Sequence, residues 1–210
     1  MRLSAQAYAF IIACAIAVFG TTSLSAQQVI QTQPHVVAII EDNARVHVFT
    51  NRVDKNFNGV KDPGDIEAQW TIIDRGSHAV ENELIFPWAD VKASRPALDR
   101  ARGLMYVGIG DSVWAYTSVT MVRGSDPIYQ GANTALSVDG TGTYLYISRR
   151  PSFTDPGVIH RIDLNDLSTA SFPTGVNPQQ SVALRLNSDN EFVAVVHEGT
   201  FGNPDGGLTL

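Results

Sequence analysis

The feature that most constrains the fold is a weak internal repeat of about 40 to 48 residues. The segment ALSVDGTGTYLYISR, which begins at Ala135, aligns with ALRLNSDNEFVAVVH, which begins at Ala183. A shift in the other direction aligns it with ALDRARGLMYVG, which begins at Ala97. Each copy has the pattern of a short strand, a polar turn opened by Asp or Asn, and a stronger apolar strand. One copy cannot bury its apolar faces alone, so the repeat predicts stacked units.

Equivalent positions of the three copies carry similar residues. Each polar turn begins with an Asx residue, whose side chain can bond to its own backbone, and two of the turns contain Gly, which accepts a positive φ. In the turn, the aligned residues are Asp99, Asp139 and Asn187. In the strong strand, the aligned pairs are Tyr106 with Tyr146, Val107 with Ile147, Tyr144 with Phe192, and Ile147 with Val195.

The rest of the chain favours the same unit. SVWAYT follows GIGD in one copy and VIHRIDL follows the next, so each complete copy gains a third strand. The segments HVVAIIEDNARVHVFT and AQWTIID predict a further unit with a long hairpin insertion. Three to four strands per unit of this length are typical of propeller blades. The predicted fold class is therefore all-β, built from β-propeller blades of three to four antiparallel strands.

The number of blades follows from the length. Residues 27–210 supply about four blades at about 45 residues each. The sequence stops within an apolar strand at GGLTL, and an open apolar edge promotes aggregation. We therefore expect an incomplete ring, a fragment of a longer protein. A small four-bladed ring is the alternative.

Residues 1–26 have the pattern of a secretion signal peptide. Arg2 precedes the apolar run YAFIIACAIAVFG, and small residues follow it, so cleavage after Ser25 or Ala26 is expected. The apolar run is short for a membrane span, which is the alternative. Cys14 lies inside this run, where IIAC also fits a lipoprotein processing pattern, although coincidence is favoured. The prediction is a secreted protein, extracellular, at the cell surface or periplasmic, with no membrane span after cleavage and no thiol.

The charge balance limits the class of partner. The net charge is -6, the pI is about 5.2, and charged residues make up 17% of the chain. Recognition of nucleic-acid phosphates requires clustered Lys and Arg, which this chain lacks, so nucleic-acid binding is not expected. An unidentified protein or polysaccharide is the expected partner.

The hairpin insertion at 53–66 carries the clearest local chemistry. DKNFNGVKDPGD fits the calcium-loop pattern D-x-[DN]-x-[DN]-G-x5-[DE], in which alternating oxygen donors surround a hard cation and the Gly makes the sharp turn. The predicted ligands are Asp54, Asn56, Asn58, the carbonyl of Val60, Asp62 and Asp65. No amphipathic helix flanks the loop, so the predicted role of Ca²⁺ is structural. The alternative is an Asx- and Gly-rich hairpin that needs no ion.

The blade pattern resembles that of bacterial secreted β-propellers of the YVTN and surface-layer type. The Asx residue before an aromatic strand, at Asp99, Asp139 and Asn187, carries the resemblance, together with HRIDL and HEGTFGNPDGGLTL. His197 stands where that family usually has Asn. The resemblance spans roughly residues 35–210 and implies a ring of about seven blades. The functions in the family are diverse, mostly structural or binding, so no function transfers. The calcium loop is similar to those on hairpins of secreted bacterial β domains.

Catalytic machinery is not evident, and no catalytic residue is predicted. Ser112 lies in a GDS triplet, but SVWAYT alternates as a strand and no Asp-x-x-His follows. His47 and His160 are expected at core edges or on the surface. His197 and Glu198 are expected at a strand end, which in a propeller lies at one mouth of the ring, where ligands bind. The first hypothesis is a non-enzymatic binding or surface interaction module. The alternative is a lactonase-like hydrolase or a lyase with its site at the ring mouth.

Overall fold

The structure is a computed structural model that describes residues 35–88, 95–133, 135–149, 155–176, 178–185, 191–200, 203 and 205–210. Residues Gln31–Leu210 form one compact unit. The predicted signal peptide at 1–26, with Cys14, lies outside the described residues.

The described residues form four consecutive antiparallel sheets, in which each strand pairs with the next one along the chain. Blade 1 contains β1 (Val36–Glu41), β2 (Arg45–Thr50), β3 (Gln69–Asp74) and β4 (Val80–Ile85). Blade 2 contains β5 (Ala97–Asp99), β6 (Leu104–Ile109), β7 (Ser112–Thr117) and β8 (Tyr129–Gln130). Blade 3 contains β9 (Ala135–Val138), β10 (Tyr144–Arg149), β11 (Pro156–Asp163) and β12 (Thr169–Val176). Blade 4 contains β13 (Pro178–Arg185), β14 (Glu191–His197) and β15 (Gly207–Thr209). The all-β fold with blades of three to four strands is confirmed.

The repeat predicts the register of two hairpins but not of the third. Ala97 pairs with Tyr106, and 40 residues later Ser137 pairs with Tyr146, so blades 2 and 3 share one register. In blade 4 the same spacing rule would pair Ala183 with position 196, whereas Ala183 pairs with Val193. The register of a hairpin depends on its loop. The aligned Asn187 falls in 186–190, outside the described residues.

The core lies between the blades rather than within one of them. Period-two alternation gives each strand two faces, and in blades 2 and 3 a neighbouring blade covers each face. Blades 1 and 2 bury Trp70 and Met105 against each other, and blades 2 and 3 bury Tyr106 and Leu145. A smaller cluster around Tyr146, Ile159 and Val195 joins blades 3 and 4. Each fully buried side chain of this size contributes about 1.5–3 kcal/mol to the free energy of unfolding. Packing between blades is therefore the main source of stability.

The blades point the same way, which gives the unit two distinct ends. Arg95, just before β5, makes a parallel bridge with Ala135 of β9, so the first strands of blades 2 and 3 run in the same direction. At the turn after the first strand, Arg100 Nη2 donates to the Glu41 carbonyl at 2.5 Å. Arg102 Nη2 donates to Asn165 Oδ1 at 3.0 Å. We call this end the turn face.

At the opposite end, which we call the loop face, the chain passes from the second to the third strand of each blade. These connections run from Thr50 to Gln69, from Ile109 to Ser112, from Arg149 to Pro156 and from His197 to Gly207. The four sheets that the structure describes do not close into a ring.

Candidate functional site

The calcium-loop pattern lies on the loop face, in the hairpin between β2 and β3. Two backbone hydrogen bonds close its base, from Val53 N to Ile66 O at 2.8 Å and from Ile66 N to Val53 O at 3.1 Å. Residues 51–68 contain no helix. The segment that carries the pattern is therefore held between two strands rather than between two helices.

Carboxylate and amide oxygens organise the loop by accepting backbone N–H groups. Asp54 Oδ2 accepts the N–H of Gly59 at 2.7 Å, and the φ of Gly59 is +77°, the left-handed turn that favours Gly. Asp65 Oδ1 accepts the N–H of Lys55 at 2.9 Å, and its Oδ2 accepts the N–H of Asp62 at 2.8 Å. The N–H of Lys55, followed by that of Asp62, lowers the pKa of Asp65. Asp65 is therefore ionised in neutral solution, where it holds the two ends of the loop together.

One oxygen of the loop has no partner. Asp54 Oδ1 is buried and makes no hydrogen bond, although its sister oxygen is bonded to Gly59. A buried carboxylate oxygen without a donor is unfavourable by about 1–3 kcal/mol or more. A hard cation such as Ca²⁺ binds carboxylate, amide and carbonyl oxygens. Asp54, at the first position of the calcium pattern, therefore offers a free oxygen of the required type.

The side-chain amides of the loop are oriented as expected for a hairpin that binds no ion. Asn56 Nδ2 and Asn58 Nδ2 each donate to Asp62 Oδ2 at 2.7 Å. For Ca²⁺ to bind, these amides would have to turn their oxygens inward, a rotation that exchanges two groups of similar size. In the part of the chain that the structure describes, no three His, Cys, Asp or Glu side chains converge to hold a metal ion. The calcium site therefore stays a prediction.

Two residues that hold the loop escaped sequence reasoning. Trp88 Nε1 donates to the carbonyl of Gly59 at 3.1 Å, and Arg52 Nη1 donates to the carbonyl of Trp88 at 3.1 Å. The Arg52 guanidinium also lies 4.6 Å from the centre of the Trp88 ring. The only signal in the sequence was an isolated Trp in the loop FPWAD. The contacts of Trp88 with Gly59 and Arg52 could not be predicted from this Trp, because both partners are distant along the chain.

The expectation for His47 was wrong. Its side chain is fully buried in β2 rather than at a core edge or on the surface. Trp70 Nε1 donates to His47 Nδ1 at 3.3 Å, so the proton of the neutral ring lies on Nε2, which contacts Asp42 Oδ2 at 3.2 Å. Burial lowers the pKa of His47 in spite of the neighbouring Asp42. His47 is therefore a structural residue of blade 1.

The other residues with catalytic potential do not come together. Ser112 opens β7 and pairs with Gln130, as expected of a strand residue. His160 Nδ1 lies 2.9 Å from Ser171 Oγ, whereas its buried Nε2 has no hydrogen-bond partner.

His197 ends β14 on the loop face. Its ring packs on Gly175, where an added Cβ would lie 2.4 Å from Nδ1, and this nitrogen is buried without a partner. Gly175 leaves no room for a larger residue, so the close approach of β12 fixes the position of the His197 ring.

Comparisons with known proteins show the fold alone. No family model and no curated protein matches the chain. Hydrazine synthase from Kuenenia stuttgartiensis matches with a TM-score of 0.58 and 14% identity, over 88% of this chain and 48% of that one. A luciferin-regenerating enzyme matches with a TM-score of 0.53 and 11% identity, over 76% of this chain and 52% of that one.

The β-propeller domain of the trilobed protease from Pyrococcus furiosus matches at a TM-score of 0.40 and 9% identity, over 84% of this chain and 57% of that one. The chain therefore spans about half the length of the solved structures it matches. In the described part of the chain, no helix has the length and apolar character needed to cross a membrane.

Proposed function

We propose that this protein is a secreted, non-enzymatic β-propeller that binds a protein or a polysaccharide through its loop face, with a structural calcium site. The observation that carries the proposal is the long hairpin of blade 1, which lies on the loop face. The loop face bears the 18-residue connection 51–68. The first turns of blades 1 to 3, on the turn face, are far shorter. Long loops on a rigid β scaffold are the usual place for recognition.

Two carboxylates of the turn face are engaged in holding their own turns. Asp99 and Asp139 are buried there, and their carboxylates accept N–H groups of their own turns. The polar side chains of residues 54–65 are instead mostly exposed to solvent. The long hairpin therefore presents polar groups that are accessible to a partner.

The calcium part of the proposal rests on the free Asp54 Oδ1 and on the sharp turn at Gly59. The residues that would hold the ion are Asp54, Asn56, Asn58, the carbonyl of Val60, Asp62 and Asp65. A bound Ca²⁺ would supply electrostatic cross-linking of a hairpin that has almost no apolar core of its own. Three carboxylates and a short Asp at the last position favour a weak extracellular-type site, with a Kd of about 10⁻⁵ to 10⁻³ M.

Isothermal titration tests the calcium site. The protein should show one calcium-binding event, and the double variant Asp54→Ala with Asn58→Ala should show none. Asp166→Ala is the matched control, because Asp166 makes a comparable Asx contact, accepting Ser168 N at 2.8 Å, on the turn face. Absence of heat in the unmodified protein, at concentrations that detect a Kd of about 10⁻³ M, would refute the calcium site.

A second candidate function is a propeller hydrolase or lyase of the lactonase-like kind. The observation that favours it is the buried, unpartnered Nδ1 of His197 at the loop face. A screen of ester, lactone and uronic-acid substrates separates the two functions. Turnover that is lost in His197→Ala would establish the enzyme and overturn the binding module.

A further inference from the structure

The calcium loop is attached to the rest of the molecule by Trp88 and Arg52, which we name the Trp–Arg clamp. Trp88 lies three residues after the end of β4, on the segment that leads toward blade 2. Arg52 lies directly before Val53, which pairs with Ile66 at the base of the loop. The clamp therefore contacts the loop at its base through Arg52 and near its tip through Gly59.

The clamp fixes one peptide group within the predicted ligand set. The carbonyl of the peptide between Gly59 and Val60 accepts Trp88 Nε1 at 3.1 Å, a contact that does not depend on the loop amides. In the ion-free arrangement, the N–H of the same peptide also donates to Asn58 Oδ1 at 2.7 Å. The next carbonyl along the chain is that of Val60, a predicted calcium ligand. Because the peptide plane before it is fixed, the direction of the Val60 carbonyl is restricted too.

The loop also contains a strained residue that its contacts must hold in place. Phe57 has a φ of +58° and is 91% exposed, so its own side chain contributes little packing to that conformation. A bulky residue in the left-handed region costs about 1–2 kcal/mol. Hydrogen bonds on either side of Phe57, including the one from Gly59 N to Asp54 Oδ2, oppose this cost. The clamp adds a contact to the same turn from outside the loop.

We infer that the Trp–Arg clamp is a positioning device for the calcium site and couples its occupancy to residues 86–88, which follow β4. This inference rests on the calcium site proposed above. Groups outside the ligand shell that orient a ligand commonly change metal affinity when they are removed. Loss of one hydrogen bond of ordinary strength weakens binding roughly fivefold.

The test combines calorimetry and tryptophan fluorescence on the full chain. In Trp88→Phe, calcium should still bind, with a Kd raised roughly fivefold. Calcium should change the tryptophan emission of the unmodified protein, and Trp88→Phe should lose that change. Arg52→Gln, which keeps the indole bond to Gly59 but removes the stacked guanidinium, should show a smaller rise in Kd.

Trp114→Phe is the matched control. Trp114 also carries a stacked guanidinium, that of Arg123 at 4.5 Å, but it lies in β7, outside the loop. This variant should keep both the affinity and the calcium-induced emission change. Far-UV circular dichroism of each variant confirms that it folds. If calcium binds but Trp88→Phe keeps the original affinity and emission change, the positioning role of the clamp is refuted and the calcium site stands. If no calcium binds, both fail.

Discussion

At the scale of single residues, burial decides the protonation of the pair formed by His47 and Asp42. The ring of His47 is enclosed by blade 1, and burial lowers its pKa although Asp42 opposes the shift. Burial alone would raise the pKa of Asp42. The N–H of Ala44, the ring of His47 and the N–H of Arg45 together outweigh it, so that the pKa is lowered. The stable form of the pair is a neutral imidazole beside a carboxylate.

This pair predicts loss of stability in mild acid. The pKa of His47 in the folded protein lies below its ordinary value of 6.5, so the unfolded chain binds the proton more readily. The free energy of unfolding should therefore fall as the pH drops through and below about 6.5. The contribution of Asp42, whose pKa is also lowered, is lost only in stronger acid. Urea denaturation between pH 8 and pH 5 measures the effect.

The variant His47→Gln identifies the source of this pH dependence. Glutamine does not titrate, so the slope of stability against pH should become shallower between pH 7 and pH 5. Part of the slope should remain, because burial, followed by the charge of Arg149, also lowers the pKa of His160. An unchanged slope in His47→Gln would show that His47 is not the titrating group.

At the scale of elements, the turn between β9 and β10 shows why the repeat keeps its chemistry. Asp139 Oδ1 accepts a hydrogen bond from the N–H of Tyr144 at 2.8 Å, so the Asp139 side chain closes the turn. Gly142 has a φ of +72°, and a Cβ there would lie 2.8 Å from Asp99 Oδ1 of the neighbouring blade. The turn therefore needs glycine for its backbone and for its close contact with blade 2.

Two glycines in this turn give a matched pair of variants. Gly142→Ala should lower the free energy of unfolding by about 1–3 kcal/mol, because of the left-handed backbone and the steric contact. Gly140→Ala should change it by less than about 0.5 kcal/mol, since no heavy atom lies within 4 Å of the added Cβ. Thermal unfolding compares the two. Equal effects would contradict the assigned backbone conformation.

At the scale of the whole molecule, polar contacts on the turn face join one blade to the next. Arg102 of blade 2 contacts Asp99 Oδ2 at 3.0 Å in its own turn and Asn165 Oδ1 at 3.0 Å in blade 3. It also donates to the carbonyl of Gly142. Asp99 is almost fully buried, at 1% exposure. One guanidinium thus neutralises a buried carboxylate and holds two turns of blade 3.

Arg102→Ala should therefore weaken the stacking of blades 2 and 3. We expect a loss of about 1–3 kcal/mol in the free energy of unfolding, since the variant leaves a buried carboxylate without its cation. Arg45→Ala is the control, because its ion pair with Glu81, at 2.6 Å, lies within blade 1 and is partly exposed. That change should cost less than about 1 kcal/mol. Equal losses in chemical denaturation would argue against a link between blades.

The sequence by itself determined the strands, the turns and the repeat, because these depend on local chemistry. Alternating apolar residues predict β6 and β10, and Asp with Gly predicts their turns, since both signals act within a few residues. The loop 53–66 was found in the same way. Only the tertiary structure decided that His47 is buried against Trp70, that Trp88 holds Gly59, and that Arg102 bridges two blades. Those contacts join residues 23 to 63 positions apart. Their partners are set by how the blades and loops pack, which no local pattern encodes.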